Sequence, residues 1–438
     1  MSRNDPAPPR VRLQTFDDAL GRRIIDLHIW AVEQGLGGID AEALFDGFCQ
    51  RLVASGLSLW RAFTAMETLH PQWAGYSYTW RRDLNAIEPD SWGRENELEP
   101  IWRDSPFAHM LREAEGTAWR THQMRRRLAG PDAAIDFPVL AEFAAAGATD
   151  YFAIAFRFGR EGDRSRGSGI IYSFVTQRPA GFAEDEITLL EAVLPALSLA
   201  MMNHATYIIA GSLLGAYLGQ DAGRRVHAGA IERGSVESIH AVLWYADLRG
   251  FTATADASGG TIVVELLDDI FETLAASLRP RGGEVLKFIG DGMLAIFPVT
   301  AIGRAATCHA ALDAAAEATR ALAALNEARG RAGKPVAEVD IALHLGEVLY
   351  GNIGAADRLD FTVIGPAVNE VARMETLCEP LDRPVLVSAE LAAAADAGAR
   401  LEPLGRHRLR GVKIERELFA LILDGTPGAS LAAPSPST

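Results

Sequence analysis

The chain has 438 residues, of which 49% are hydrophobic and 23% charged, and its formal net charge at pH 7 is −15. This length exceeds one ordinary domain, so we expect two or three domains with well-packed cores. The acidic balance argues against nucleic acid or an anionic membrane surface as a partner. A nucleotide substrate remains possible, because bound metal ions can supply positive charge locally.

The cysteines and the chain ends favour a protein of the reducing cytoplasm. Cys49, Cys308 and Cys378 are far apart and form no Cys-x-x-Cys pair, so neither a zinc site nor a disulfide framework is predicted. The N-terminal segment lacks the apolar core of a signal peptide. The polar, proline-containing ends of the chain are predicted to be disordered.

The first predicted domain covers residues 15–188. It begins with helical patterns around Asp17–Gln34 and Ala41–Ser55, and strand-like stretches follow. Two of these, Tyr151–Phe158 and Ser168–Thr176, are predicted to form a hairpin across a polar loop.

Part of this domain resembles a known sensor module. The segments Leu140–Phe158 and Arg178–Leu197 are similar to the back half of a GAF-type domain. The resemblance implies that the domain receives a signal, either a small molecule or a protein. It does not identify that signal.

A helix-rich connector is predicted over residues 189–236. Its apolar positions alternate in steps of four and three, as in a coiled-coil seam; they are Leu190, Leu194, Leu197, Met201, His204, Ile208, Gly211, Gly215 and Leu218. We expect the seam to join two copies of the chain. The alternative is one amphipathic helix packed on its own domain. A membrane span is not expected, because polar residues such as Glu191 and Asn203 interrupt the apolar run.

The third domain is predicted over residues 237–423, where strand, helix and hairpin signals alternate as in an α/β sandwich.

In its first motif, AVLWYADLRGFT, an apolar strand ends in Asp247 and a helix should follow. An acid at a strand end is held rigidly and can bind a metal ion. The amides of the turn suit phosphate oxygens; the turn residues are Leu248, Arg249, Gly250, Phe251 and Thr252. Alone, the motif is equally compatible with an acid that caps an ordinary helix.

The second motif is a hairpin with an acid at its tip. Two apolar strands, Glu284–Ile289 and Met293–Phe297, flank the sequence Gly290-Asp291-Gly292. Asp291 alone could be only a turn former. Two carboxylates that meet at one sheet edge are, however, what a pair of Mg²⁺ ions requires.

The third motif is a strand followed by a helix. The strand ends at Gly365, and Pro366 suits the first turn of a helix. Asn369 and Arg373 are at positions i and i+4, so they share one helix face. An amide and a guanidinium so placed can contact a ribose and a phosphate, although such a pair is also ordinary on a helix surface.

Together and in this order, the three motifs resemble the class III adenylate and guanylate cyclases. The segments Ile341–Gly354 and Leu404–Leu421 are similar to further segments of that family. The resemblance implies a ferredoxin-like α/β catalytic domain that converts ATP into cyclic AMP and pyrophosphate with two Mg²⁺ or Mn²⁺ ions per site. It also implies a homodimer, because in this family one subunit supplies the metal aspartates and its partner the base- and ribose-reading residues.

The resemblance implies a role for each matching position. Asp247 and Asp291 match the two metal aspartates. Asn369 matches the asparagine that orients the ribose, and Arg373 the arginine that stabilises the transition state. Lys287 matches the lysine that reads the adenine ring, where guanylate cyclases usually carry Glu.

Other positions depart from the family pattern or match it loosely. The second base-reading position, often Asp in adenylate cyclases, is Thr362, whose hydroxyl can accept a hydrogen bond from the adenine amino group. Pro366 stands where Asp is common, and Arg410 aligns loosely with a basic residue that binds the triphosphate. His344 and His407 are expected to be structural.

Three alternatives remain. A cyclase of another base specificity would make cyclic GMP or a pyrimidine cyclic nucleotide. Lys287 disfavours guanine, while Thr362 makes the preference for adenine less firm. A catalytically silent nucleotide-binding or dimerisation module would usually have lost one of the four residues Asp247, Asp291, Asn369 and Arg373. A diguanylate cyclase or polymerase palm would share the carboxylates and the sheet but not the helix with the Asn and Arg pair.

Overall fold

The computed structural model describes residues 18–84, 86–93, 100–114, 121–158, 169–257, 259–412 and 414–423. The chain divides into two compact units, Met1–Leu213 and Leu214–Thr438. The ends predicted to be disordered and the polar loop of the predicted hairpin at 159–167 lie outside the described residues.

The N-terminal unit is an antiparallel sheet with helices on both faces. Its helices are α1 (Asp18–Gly37), α2 (Ala41–Ala54), α3 (Pro100–Arg103), α4 (Pro106–Glu113), α5 (Pro138–Ala145) and α6 (Glu184–Leu218), which continues into the second unit. Its strands are β1 (Arg61–Glu67), β2 (Trp73–Arg81), β3 (Ala86–Gly93), β4 (Thr121–Arg127), β5 (Asp150–Arg157) and β6 (Gly169–Thr176). They pair in the order β3-β2-β1-β6-β5-β4.

Both faces of this sheet are buried, which explains the continuous apolar runs of its central strands. One face packs against α1, α2 and α6, and the other against α4 and α5. The predicted pairing of the two strands now labelled β5 and β6 is confirmed, with Phe152 opposite Phe174. The GAF-type resemblance of this unit stays a prediction.

Helix α6 contains the predicted coiled-coil seam, and the structure divides that seam in two. Leu190, Leu194, Leu197 and Met201 are fully buried in the core of the N-terminal unit. For this half the dimer seam is wrong, and the alternative of a helix packed on its own domain holds. The reason is that apolar residues at this spacing can pack against the core of their own domain as well as against a second helix. Leu218 likewise packs against the core of its own C-terminal unit, while the seam from His204 to Gly215 stays a prediction.

Helix α6 is also long and apolar enough to cross a membrane. Its most apolar stretch has a mean hydropathy of 1.4, and 39% of that stretch is buried within the protein. A core helix has the same length and composition, and the packing of its first half is of that kind.

The buried half of α6 can be tested by a pair of leucines. Leu197→Ala should lower the free energy of unfolding of the N-terminal unit by about 2–5 kcal/mol, because it leaves a cavity in the core. Leu199→Ala, at a position that is 66% exposed, should change it by less than about 0.5 kcal/mol. Urea unfolding of the full chain measures both. Equal losses in the two variants would contradict this packing.

The C-terminal unit is a mixed sheet of eight strands between two layers of helices. Its strands are β7 (Val236–Leu248), β8 (Glu284–Ile289), β9 (Gly292–Pro298), β10 (Val339–Gly354), β11 (Leu359–Ile364), β12 (Val385–Ser388), β13 (Leu401–His407) and β14 (Arg416–Leu421). Its helices are α7 (Gln220–His227), α8 (Phe251–Ala257), α9 (Gly260–Leu278), α10 (Arg304–Arg331), α11 (Pro366–Glu375), α12 (Cys378–Leu381) and α13 (Ala389–Ala395). The strand order is β13-β14-β12-β10-β7-β9-β8, and β11 pairs with the end of β10.

The alternation of side chains along β7 decides which layer covers the first motif. Val242, Trp244 and Ala246 face the core formed with α9, α10 and α13. Ala241 and Leu243 face the opposite core, which α7 and α11 cover. Because side chains alternate along a strand, Asp247 points to this second side, beneath α11. The predicted α/β fold of this domain is confirmed, and it sets the predicted metal ligand against the predicted catalytic helix.

Candidate active site

The structure brings Asp247 and Asp291 to the same edge of the sheet. Strands β8 and β9 form the predicted hairpin, closed by Gly290 and Asp291, and Gly290 has the positive φ of 65° that such a turn requires. Strand β9 also pairs with β7 as far as Ala246. At Gly292 a Cβ atom would lie 2.7 Å from Oδ1 of Asp247. Glycine therefore allows the carboxylate to lie directly against the hairpin that carries Asp291.

The electrostatics of this edge suit a divalent cation. The pKa of Asp247 is raised to about 6, first by burial and then by the charges of Asp291 and Asp340. A cation between the carboxylates would relieve this repulsion. Within the described residues no group of three or more His, Cys, Asp and Glu is arranged to hold a metal alone. Mg²⁺ needs only one or two carboxylates where substrate phosphates and water complete its shell, so the two aspartates fit such ions.

The turn after Asp247 is tied to the neighbouring strand. Nε of Arg249 donates to Oδ2 of Asp340 at 3.0 Å, and Nη1 donates to Glu338 at 3.0 Å. The amide of Arg249 donates to the carbonyl of Glu338 at 2.9 Å. Leu248 is buried. The side chain and amide of Arg249 therefore already have partners, and phosphate binding by the turn stays a prediction.

The remainder of this turn leads into a short helix. Gly250, Phe251 and Thr252 follow Arg249, and the helix expected after Asp247 begins at Phe251. Thr252 is exposed and Phe251 is half-buried. The predicted phosphate contact therefore stays a prediction for these three residues of the turn.

Sequence reasoning missed two acids close to Asp247, namely Asp340 and Glu375. Asp340 lies opposite Asp247 in the pairing of β10 with β7 and is 3% exposed. Glu375 is 9% exposed. Its pKa is raised to about 8, first by burial and then by the charges of Asp247, Asp340 and Asp291. Its spacing of four from the buried Val371 was the available signal, since it places Glu375 on the apolar face of α11.

Asn369 and Arg373 lie on the other side of α11. Successive helical residues are 100° apart, so, counted in one direction around the axis, Arg373 lies about 160° and Asn369 about 120° from Glu375. Glu375 is buried among the acids beside Asp247, whereas Asn369 is exposed and Arg373 half-buried. The structure therefore does not place the Asn and Arg pair on the side of the helix that covers Asp247 of the same chain.

Arg373 lies beside the loop that carries Arg410. A Cβ atom at Gly411 would be 3.6 Å from both terminal nitrogens of Arg373. Arg410 is exposed and immediately precedes this glycine. Two predicted phosphate-binding arginines are thus neighbours in the fold, although they are far apart in the sequence.

The predicted base-reading residues also lie close together. A bulge at Leu286 in β8 precedes Lys287, and bulges commonly redirect a side chain beside a site. The ammonium group of Lys287 forms an ion pair with Asp360 on β11. Thr362, half-buried, is two residues further along that strand. Asp360 was not among the residues singled out from the sequence.

The two histidines expected to be structural are both held by neighbours. Nε2 of His407 lies 3.0 Å from the carbonyl of Leu404. His344 is buried, with Glu370 and Glu390 at 3.9 and 3.8 Å from its ring nitrogens. Burial lowers the pKa of His344. Neither contact involves the residues predicted to bind metal or substrate.

Comparison with known proteins gives a family match in the C-terminal part of the chain. Residues 235–423 match the model of the adenylate and guanylate cyclase catalytic domain. An adenylate cyclase of Anabaena cylindrica is 30% identical over 162 residues, which are 36% of this chain and 31% of that protein. Adenylate cyclase 1 of Rhizobium meliloti is 25% identical over 178 residues, 41% of this chain and 27% of that one. The solved adenylyl cyclase CyaB from P. aeruginosa is 21% identical with a TM-score of 0.40, over 43% of this chain and 96% of that chain.

The fold and the family match define the class of protein: the C-terminal unit contains a catalytic domain of the kind that forms cyclic nucleotides. Residues 235–423 are a class III adenylate and guanylate cyclase catalytic domain, and the resemblance noted in the sequence is confirmed for this domain. The chain spans less than a third of the length of the curated relatives quoted above.

Glu375→Gln should make the stability of the C-terminal unit less dependent on pH. The fold raises the pKa of Glu375 from its ordinary 4.5 to about 8, so the folded chain keeps a proton that the unfolded chain loses. The stability that the folded chain gains from this retained proton is fully present below pH 4.5 and is lost as the pH rises to about 8. Glutamine has nearly the same shape and does not ionise. At pH 8 the variant should be more stable than the wild type by on the order of 1–3 kcal/mol.

Urea unfolding of the full chain at pH 5 and pH 8 measures this difference. Glu415→Gln, at an exposed position just before β14, is the matched control and should behave as the wild type at both pH values. If Glu375→Gln and the wild type lose stability equally between pH 5 and pH 8, Glu375 does not hold a proton in the fold.

Proposed function

We propose that this chain is an adenylate cyclase, which converts ATP into 3′,5′-cyclic AMP and pyrophosphate as a homodimer with two Mg²⁺ or Mn²⁺ ions per site. The observation that carries the proposal is the approach of Asp247 to the hairpin of Asp291, which Gly292 permits. Burial, and after it the charge of Asp291, raises the pKa of Asp247. A pair of carboxylates under this repulsion is a site for divalent cations.

The roles of the residues follow from the reaction. Bound metal ions would make the 3′-hydroxyl of the ribose more acidic and neutralise charge on the triphosphate. Asp247 and Asp291 would hold these ions. The 3′-hydroxyl would lose its proton to water, and its oxygen would attack the α-phosphorus while the bond from that phosphorus to the pyrophosphate oxygen breaks and pyrophosphate leaves. Arg373 would stabilise the negative charge that grows on the α-phosphate, and Asn369 would orient the ribose. Arg410 would contact the triphosphate.

Adenine is the favoured base because of Lys287. The ammonium group donates hydrogen bonds and accepts none, so it matches the ring nitrogen acceptor of adenine and not the corresponding N–H of guanine. The hydroxyl of Thr362 can accept from the adenine amino group. Two of the curated relatives quoted above are named adenylate cyclases, which supports the same choice.

The orientation of α11 supports a site shared between two copies of the chain. Glu375 is buried on the side near Asp247, and Asn369 and Arg373 lie on the other side of the helix. An Asn and Arg pair that faces away from its own metal aspartates can serve those of a partner. In a symmetric dimer this arrangement gives two identical composite sites.

The proposal includes regulation by the N-terminal unit and a cytoplasmic location. The three cysteines are free and buried, as is usual in a reducing compartment. The GAF-type resemblance supports a signal received by the first unit. The activity of the full chain, compared with and without candidate signals, tests this part.

The chemistry can be tested with single aspartate variants. Purified full chain with Mn²⁺ or Mg²⁺ and each nucleoside triphosphate should give cyclic AMP from ATP, identified by mass spectrometry. Asp247→Ala and Asp291→Ala should each lower kcat/KM by at least about a hundredfold, because the site loses one of two metal carboxylates. Asp268→Asn, at an exposed position on α9, is the control. Near wild-type turnover in either aspartate variant would refute the assignment, and a different preferred nucleotide would refute adenine specificity.

The shared site can be tested by mixing two inactive chains. The Asp247→Ala chain and the Arg373→Ala chain should each be inactive alone. Mixed in equal amounts, half of the dimers should be heterodimers with one intact site of two, so activity should recover to about a quarter of wild type. No recovery in a mixture shown to contain heterodimers would rule out the shared site and leave the metal assignment standing.

A further inference from the structure

A cavity of about 480 Å³ lies between strand β10 and the first turn of helix α11, and Glu390 of α13 and Arg416 of β14 complete its wall. This volume is within the range of roughly 300–1,000 Å³ that is usual for small-molecule sites. Of the described residues that line the cavity, none is one that we propose to bind metal or nucleotide. The cavity is therefore distinct from the proposed active site.

The imidazole of His344 lines this cavity and has an unsatisfied nitrogen. The residue is 6% exposed, and its Nδ1 has no hydrogen-bond partner among the described residues. Oε2 of Glu390 is 3.8 Å from Nδ1, and Oε2 of Glu370 is 3.9 Å from Nε2. Both distances are too long for a hydrogen bond. Because a buried nitrogen without a partner is costly, a ligand that supplied one would be stabilised here.

The two carboxylates cannot both satisfy a neutral imidazole. Burial lowers the pKa of His344, so the ring is neutral at pH 7. A neutral imidazole has one N–H donor and one acceptor nitrogen, whereas an ionised carboxylate only accepts. Whichever nitrogen holds the proton, the other nitrogen and its nearby carboxylate are two acceptors that face each other. A donor group between them, such as an ammonium, would bind both.

The charged residues around the cavity favour a cation. Glu347, Glu370 and Glu390 carry three negative charges, and Arg416 is the one Lys or Arg among the described residues that line it. Nη2 of Arg416 donates to Glu370 at 2.9 Å, and Nη1 is 3.7 Å from Glu390. The N-terminus of α11 adds about half a positive charge. An excess of negative charge remains, which a water molecule in the cavity would not offset.

We infer that this cavity binds a small organic cation, an amine with an apolar body, whose ammonium group donates to Nδ1 of His344 and to Glu390. Leu349 and Ile364 also line the cavity and are 40% and 44% exposed, so the apolar body would cover them. The bound amine would contact the first turn of α11 as well. The site takes no part in cyclisation, and the inference goes beyond the proposed function.

Three probes with one apolar body test the charge of the ligand. At pH 7, 2-phenylethylamine is positive, 2-phenylethanol is neutral and phenylacetate is negative. Calorimetric titration of the full chain without nucleotide should give a dissociation constant below about 1 mM for the amine. The alcohol should bind at least about tenfold more weakly, because it cannot make a charged hydrogen bond, and the anion should not bind.

Substitutions in the full chain test the position of the site. Glu390→Gln should weaken binding of the amine about tenfold, because the ammonium loses its charged partner. The side chain of Glu390 is 44% exposed, so its loss should leave the fold intact. Glu417→Gln, exposed and on the other face of β14 from Arg416, is the matched control and should bind as the wild type does. Asp247→Ala should also bind the amine normally, which separates this site from the proposed metal site.

Hydrogen exchange locates the bound amine, because backbone amides of residues 344–349 and 367–370 should exchange more slowly in its presence. Three outcomes would each overturn the inference: no binding of the amine in the millimolar range, equal binding of the three probes, or equal affinity in Glu390→Gln and the wild type. The measurements need no nucleotide. A chain that binds the amine and makes no cyclic AMP therefore refutes only the proposed function, and a chain that makes cyclic AMP without binding the amine refutes only this inference.

Discussion

The crowding of carboxylates beneath helix α11 is the constraint on which the rest of the C-terminal domain depends. Asp247, Asp340 and Glu375 lie in one partly buried region, and Asp291 adds its charge from the hairpin turn. Placing several acids where water is scarce raises the free energy of the folded chain. Two features offset this cost: Arg249 binds Asp340, and Glu375 retains a proton near neutral pH. Divalent cations would offset the remainder.

Helix α11 connects this region to the outside of the domain. One side of the helix covers the acids through Glu375, and the other presents Asn369 and Arg373. The same ten residues therefore close one site and offer side chains to another. In the proposed dimer each copy of α11 would serve both sites at once, so a shift of the helix would alter the two sites together.

Much of the C-terminal domain could be predicted from the sequence because its signals are local. The strand before Asp247, the hairpin of Asp291 and the helix after Gly365 each depend on a few adjacent residues. The missed features depend on distant ones. The burial of Glu375 requires the sheet beneath the helix, and the pairing of Asp360 requires β11 to lie beside β8. The first half of α6 was misjudged because a helix repeats its apolar residues in the same way against its own core and against a partner.

Gly292 contributes to the predicted site although it has no side chain and is not one of the predicted site residues. Its contribution is the empty space against Oδ1 of Asp247, which one methyl group would fill. Every glycine codon becomes an alanine codon through a single nucleotide change. A descendant of this gene could thus keep both aspartates, the asparagine and the arginine, and still have lost the space beside Asp247 in which the proposed cation would bind. For chains with this catalytic domain, the presence of the predicted site residues in an alignment would therefore not be enough to identify an active cyclase.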